Sequence, residues 1–402
     1  TYEIKNTGRY EIIDHTWDKT IKTDDTVYAI MTMEGFGIVS QTKKNVVQTG
    51  AGTTLISGEN HLKGRIDFLK LHLPVIFITF SHHFTNGLCG HTRSFPVLAS
   101  SLRFLHQKEN MDQPFSSLGM RVILRLLSLE QTNTGWVYNK AKLGRRILID
   151  LKHMALKSRL AIYQLVRAYN ESTPANGDKI PLVASHVAYS GLTMADMLFK
   201  LQGAPNLEQQ GNQLIRRDRT YKYKDERKVT REVVNNTWSI NLAAEEIQYI
   251  VDSKGLIGLS FEQNILGVDF FGEGKKKRED KSHNLYLILN QLLDMGRICK
   301  DATFWKHITI GTDFDGMINP VDRYPSALFF QTLKQDLKWE LLDLADEELK
   351  DAKLSPPPAG VSLEEHIDQV LDGLFIQNAF DLFWRNKQHL QPTSSIPNTG
   401  SI

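Results

Sequence analysis

The amino-acid sequence predicts an α/β fold whose parallel strands close into a (β/α)8 barrel. Three observations carry that expectation. Short apolar runs end abruptly in turn chemistry: Ile147-Leu148-Ile149 before Asp150, Pro181-Leu182-Val183-Ala184 before Ser185, and His307-Ile308-Thr309-Ile310 before Gly311. Near-continuous apolar runs of this length read as strands buried on both faces, as parallel sheets require. Apolar residues then recur at helical spacing, as at Leu156, Leu160, Tyr163 and Val166. The strand-then-helix unit recurs along the chain, and this many units favour closure over an open sheet.

The elements follow in order. Tyr28 to Met33 reads as a strand leading into Glu34-Gly35, and Leu73 to Phe80 as another, ending at Ser81-His82-His83. Met120 to Leu129 carries a helical pattern. After the strand at Leu182 comes a helix over Thr193 to Leu201, capped by Ser190-Gly191. A further helix over Asn241 to Ser253 has Asn241 as N-cap and Glu245 and Glu246 in its first turns, where carboxylates suit the helix dipole. Gly255 stops it, and Leu256 to Phe261 returns to strand. Two charged stretches, 206–231 and 272–281, read as solvated insertions, the second holding Lys275-Lys276-Lys277-Arg278. Pro356-Pro357-Pro358 stiffens a linker before a last helix over Leu363 to Trp384. The expected organisation is an amino-terminal segment at 1–27, the barrel at 28–350, linker and helix at 351–390, and a mobile tail at 391–402.

Composition narrows the function. In 402 residues, 48 Lys and Arg balance 46 Asp and Glu for a formal net charge of +2. That balance argues against nucleic acid or an anionic membrane as the main partner. Two cysteines, Cys89 and Cys299, read as free thiols and exclude a four-cysteine zinc cluster. No apolar run approaches the ~18 residues of a spanning helix.

The strand ends hold the chemistry. A divalent metal takes imidazole nitrogen and carboxylate oxygen in fixed directions, and a strand end is rigid enough to fix them. Glu34, His153 and His186 are the candidate metal ligands, and Asp313 is the candidate proton carrier. A plainer reading stands beside each. Glu34 can face solvent, His153 can be a hydrogen-bonded core residue, His186 can pack at a turn, and Asp313 and Asp315 can be turn or cap groups. Four such groups at four strand ends favour a metal-dependent hydrolase.

The segments Met33-Glu34-Gly35, Phe77-Ile78-Thr79-Phe80-Ser81-His82, Ile149-Asp150-Leu151-Lys152-His153, Ala184-Ser185-His186 and Ile310-Gly311-Thr312-Asp313-Phe314-Asp315-Gly316 resemble, in order, the renal (membrane) dipeptidase family of zinc metallopeptidases, within the amidohydrolase superfamily. Asn241-Leu242 and Gly255-Leu256-Ile257-Gly258 fit the same pattern, so the resemblance runs from about Ala29 to about Lys387. Asp-Phe-Asp-Gly is its most specific piece. The resemblance implies a TIM-like barrel with two zinc ions and hydrolysis of a dipeptide amide bond, often with a D residue on the carboxyl side. It implies that Glu34 bridges the ions, His153 and His186 hold one of them, Asp313 is the acid/base and His82 contacts the substrate. It also suggests a homodimer.

The chain departs from that family at four places. No His-x-Asp precedes Glu34; the nearest string, Asp14-His15-Thr16-Trp17-Asp18, has the wrong spacing. The expectation is therefore a barrel lacking its first β/α units in this sequence. Two zinc ions are expected if a His-x-Asp lies upstream of Thr1, and one otherwise. Ile240 stands where the family places a carboxylate-binding Arg, and Arg323 is the candidate replacement. Phe36-Gly37 follows Glu34-Gly35 where the family tends to a His, and Lys152 replaces a small residue and is expected to point outward. Two alternatives follow: an amidohydrolase for another amide or N-acyl substrate, or an inactive barrel that binds a ligand. Any signal or lipid-attachment segment would lie upstream, so a secreted, periplasmic or lipid-anchored location stays open.

Overall fold

The computed structural model describes residues 10–16, 27–37, 46–49, 52–55, 58–94, 107, 109–174, 178–203, 214–267, 281–314, 316, 318–389, 391 and 395–397. The insertion at 272–280, Asp315 and most of the carboxy-terminal tail lie outside them. The chain divides into two compact units: Thr1–His91, Glu109–Leu182 and Asp381–Ile402 in one, Thr92–Lys108 and Val183–Phe380 in the other.

In the first unit, β1 (Tyr10–Ile13) pairs in parallel with β2 (Val27–Ile30). β3 (Met33–Glu34) follows, then a hairpin of β4 (Val46–Thr49) and β5 (Gly52–Leu55), and α1 (Gly58–His72). β6 (Phe77–Thr79) leads to α2 (Ser117–Leu127), the hairpin β7 (Leu129–Thr132) and β8 (Gly135–Tyr138), and the short α3 (Lys140–Leu143). β9 (Leu148–Asp150) and α4 (Leu156–Ser172) complete it. β6 lies between β3 and β9, both parallel to it, so Glu34, Thr79 and Asp150 stand level at the carboxyl ends. The predicted strand over Tyr28–Met33 is two strands, broken at Met31-Thr32, and the one over Leu73–Phe80 keeps only Phe77–Thr79. Fully buried Arg145 donates to the carbonyls of Leu69, Lys70 and Leu73 at the end of α1 and of Val75 ahead of β6. It thus brings donors to carbonyls at the helix end, where intrahelical partners run out.

In the second unit, β10 (Val183–Val187) leads to α5 (Met194–Gly203) and then to a hairpin of β11 (Leu214–Lys222) and β12 (Lys228–Asn236). α6 (Ala244–Asp252), β13 (Leu256–Leu259), α7 (Gln263–Leu266), α8 (Lys281–Ile298) and β14 (Ile308–Ile310) follow. The unit ends with α9 (Phe330–Asp343), α10 (Asp346–Asp351) and α11 (Leu363–Asp372). β13 runs between β10 and β14, parallel to both. Both units therefore have the predicted α/β character. Within either unit the parallel strands form an open sheet, and closure into a barrel is not seen among the described residues.

Four local expectations change. Much of the stretch read as a charged insertion is the β11/β12 hairpin: on β11, Arg217, Arg219 and Tyr221 turn inward while Arg216, Asp218, Thr220 and Lys222 are exposed. Arg217 and Arg219 meet buried Asp294, and Tyr221 meets Asn290, so polar pairs take the place of apolar anchors. Asn241 is not an N-cap. Its side chain binds Ala188 N–H and the carbonyls of Asn236 and Ile265, while Glu246 caps α6 by accepting from Ala243 N–H at 2.8 Å. Thr193, rather than Ser190-Gly191, caps α5 by accepting from Asp196 N–H at 3.1 Å. The last predicted helix widens into a π turn at Gly373–Gln377 after α11 before continuing as Asn378–Asn386. Both cysteines are free, as expected, and both are buried. Among the described residues no helix is long and apolar enough to cross a membrane.

Candidate metal centre

In the first unit, three strand ends gather one carboxylate and three imidazoles. Glu34 ends β3, His82 and His83 follow β6, and His153 follows β9. Glu34 Oε1 is 3.4 Å from His82 Nε2 and 3.5 Å from His153 Nε2. The ring centroids of His82 and His83 are 3.8 Å apart, and each is 4.8 Å from that of His153. Donor nitrogens of the three imidazoles lie within 4.8 Å of one another. Asp150 supports the floor: its carboxylate accepts from Thr79 Oγ1 at 2.6 Å and from Lys152 N–H at 3.1 Å.

Two features fix His153. Its backbone is left-handed, with φ 62°, a conformation that costs a residue with a Cβ and recurs at functional sites. It is also buried. Burial holds its pKa well below the ordinary histidine value, and the Lys152 charge adds to the effect. His83 is lowered to about 3, by burial first and by the His82 charge next. Lys152 itself is buried, not outward-facing as predicted. β9 ends at Asp150, so strand alternation does not reach Lys152, which lies in the following turn.

In the second unit, His186 lies on β10 and Asp313 follows β14. Ser185 Oγ is 2.8 Å from His186 Nδ1, and His186 Nε2 is 3.8 Å from Asp313 Oδ2. Asp313, like His153, is left-handed, with φ 61°. Two glycines allow the close packing beneath. A Cβ on Gly258 would sit 1.8 Å from the Ser185 carbonyl oxygen, and one on Gly311 2.0 Å from the same atom.

The structure therefore brings Glu34, His82 and His153 together in one unit, and His186 and Asp313 together in the other. Arg323 is bound to Asp336, with Nη2–Oδ2 at 2.7 Å and Nε–Oδ2 at 2.8 Å, and its Nε is 3.1 Å from the Tyr324 hydroxyl. Ile240 is buried. His83 was absent from the predicted site. Its signal was the His-His pair directly after a strand. Imidazoles beside a carboxylate suit a divalent ion of the zinc type, which takes nitrogen and oxygen donors together.

No family model and no curated protein matches this chain. Solved structures do. A metallopeptidase from Rhodobacter sphaeroides, bound to a phosphinate mimic of the dipeptide L-Ala-D-Ala, aligns at TM-score 0.50 and 15% identity over 94% of this chain and 70% of that one. The probable dipeptidase PvdM from Pseudomonas aeruginosa aligns at TM-score 0.47 and 14% identity over 91% of this chain and 70% of its own. At such identity the likeness to the first is one of fold.

Proposed function

We propose that this chain is a metal-dependent hydrolase that cleaves the amide bond of a dipeptide. The observation that carries the reading is the Glu34 carboxylate set 3.4 and 3.5 Å from two imidazoles at the ends of parallel strands. Strand ends are where α/β enzymes assemble their sites. The fold likeness to a metallopeptidase supports it, as does the order of the motifs along the sequence. The closed (β/α)8 barrel predicted from the sequence belongs to the same reading.

In this reading Glu34, His153 and His186 are the zinc ligands, for one ion or two. When bound, the ion polarises the scissile carbonyl and lowers the pKa of a water towards ~7. The protein residues supply the rest. Glu34 offers two oxygens and so can serve two ions. Asp313 takes the proton of the attacking water and passes it to the leaving nitrogen. His82 contacts the scissile carbonyl, and Arg323 is the cation proposed for the dipeptide carboxylate. Binding that carboxylate would require Arg323 to share its guanidinium with Asp336.

A panel of dipeptides, L-Ala-D-Ala among them, against N-acyl amino acids tests the substrate class. Dipeptides are expected to be cleaved faster. Preference for N-acyl amino acids would move the reading to another amidohydrolase, and hydrolysis of neither to a ligand-binding protein. His153→Ala and His186→Ala are each expected to abolish turnover and lower the zinc retained per chain. Unimpaired turnover in either would overturn the ligand set.

A further inference from the structure

Arg93 and Trp238 are both buried in the second unit, and neither is a candidate metal ligand or proton carrier. The Arg93 guanidinium carbon lies 4.5 Å from the centre of the Trp238 ring, a cation stacked on an aromatic face. Burial lowers the Arg93 pKa, yet a guanidinium keeps its proton in proteins. The Trp238 indole N–H is buried too, and it has no hydrogen-bond acceptor among the described residues. A buried donor without an acceptor costs stability, and native structures hold few of them. Here that donor stands at the edge of the ring on which a cation rests. An anion satisfies both.

Both residues are held in place. Ser94, next to Arg93, is braced by Gln107: Ser94 N–H donates to Gln107 Oε1 at 3.3 Å, and Gln107 Nε2 donates to Ser94 Oγ at 2.6 Å. Trp238 N–H donates to Asn236 Oδ1 at 2.9 Å, and its carbonyl accepts from Asn241 N–H at 3.0 Å. The turn so formed is fastened to Ala188, directly after β10. Ala188 N–H donates to Asn241 Oδ1 at 3.2 Å, and Leu242 N–H donates to the Ala188 carbonyl at 2.9 Å. The Trp238 turn is thus anchored at the strand end that carries His186.

We propose that Arg93 and Trp238 form an anion site that takes the carboxylate of the substrate. This rests on the dipeptide reading and deepens it, with Arg93 ahead of Arg323, whose guanidinium already meets Asp336. A carboxylate has two oxygens, so one can accept from the indole N–H while the other accepts from the guanidinium. A guanidinium–carboxylate pair is a charge-assisted bond, stronger than a neutral one. Burial leaves its attraction little screened by salt. The site therefore favours a free carboxyl-terminal acid over the neutral amide.

Steady-state kinetics of the whole chain supplied with zinc, on L-Ala-D-Ala and on its carboxyl-terminal amide, test the site. Calorimetric binding of N-acetyl-D-alanine and N-acetyl-D-alaninamide gives a readout that needs no turnover. Wild type is expected to prefer the free acid in both. Trp238→Phe keeps the ring and removes the N–H, and is expected to cut that preference about tenfold. Arg93→Gln is expected to cut it about 100-fold, through KM rather than kcat. A loss that falls equally on acid and amide would make the pair structural and overturn the inference, as would a wild type that takes the amide as well as the acid. If nothing is cleaved but the acid preference persists in binding and drops in the variants, the hydrolase reading fails and the anion site stands. No cleavage and no binding of either compound removes both. Should Arg93→Gln fail to fold by circular dichroism, Trp238→Phe decides by the same preference.

Discussion

Burial can outweigh a carboxylate partner in setting the protonation of a histidine in this protein. His389 shows it away from the candidate site. Its Nε2 is 2.9 Å from Asp178 Oδ1, its Nδ1 is 3.2 Å from the Tyr138 hydroxyl, and its carbonyl accepts from Arg145 at 3.0 Å. A carboxylate partner alone would raise its pKa. Burial outweighs Asp178, and the nearby Arg146 and Lys140 charges add to the lowering, so the pKa falls below the ordinary 6.5. The folded state thus keeps His389 neutral at pH values where the unfolded chain protonates it. The unfolded state then binds more protons, so this contribution to stability is full above about pH 6.5 and is lost as pH falls through the lower folded value. His389→Gln is expected to flatten the decline of the denaturant midpoint between about pH 7 and about pH 5. An equal decline in both proteins would assign it to other groups. His153 obeys the same balance, lowered by burial first and by the buried Lys152 cation next.

Elements place the catalytic candidates by ending where they do. Glu34, Thr79 and Asp150 stand level because β3, β6 and β9 run parallel in register. His153 and Asp313 take left-handed backbone immediately beyond such strands. In the second unit the register depends on glycine. A Cβ on Gly311 would lie 2.0 Å from the Ser185 carbonyl oxygen and 2.9 Å from Gly258 Cα, with only backbone to yield. Gly311→Ala is expected to cost roughly 1–3 kcal/mol, from overpacking that neither strand can relieve. Chemical denaturation measures it, and a loss under about 1 kcal/mol would mean that the strands can part. The strands and the candidate residues at their ends were legible because buried parallel strands write themselves as apolar runs. The β11/β12 hairpin was not. Its inward face is Arg217, Arg219 and Tyr221, and its partners Asp294 and Asn290 lie far along the chain. A search for apolar alternation passes over such a face. Asn241 misled for a related reason: a residue suited to capping spends its side chain on three backbone groups outside its helix.

Across the whole molecule, sequence and structure agree on α/β architecture. They part at closure, since each unit displays an open set of parallel strands among the described residues. Closure depends on contacts between distant segments, and strand periodicity does not encode them. His83 was missed because the family resemblance assigns one role to His82 and none to its neighbour, while the spatial cluster joins both to His153. The central claim is metal-dependent cleavage of a dipeptide. Its most direct test is the rate of L-Ala-D-Ala hydrolysis by the chain stripped of metal, before and after zinc is restored and with bound zinc counted per chain. The account predicts no hydrolysis without metal and turnover that rises with zinc to saturation at one or two ions per chain. A chain that binds no zinc, or that binds it and cleaves no dipeptide, would contradict it.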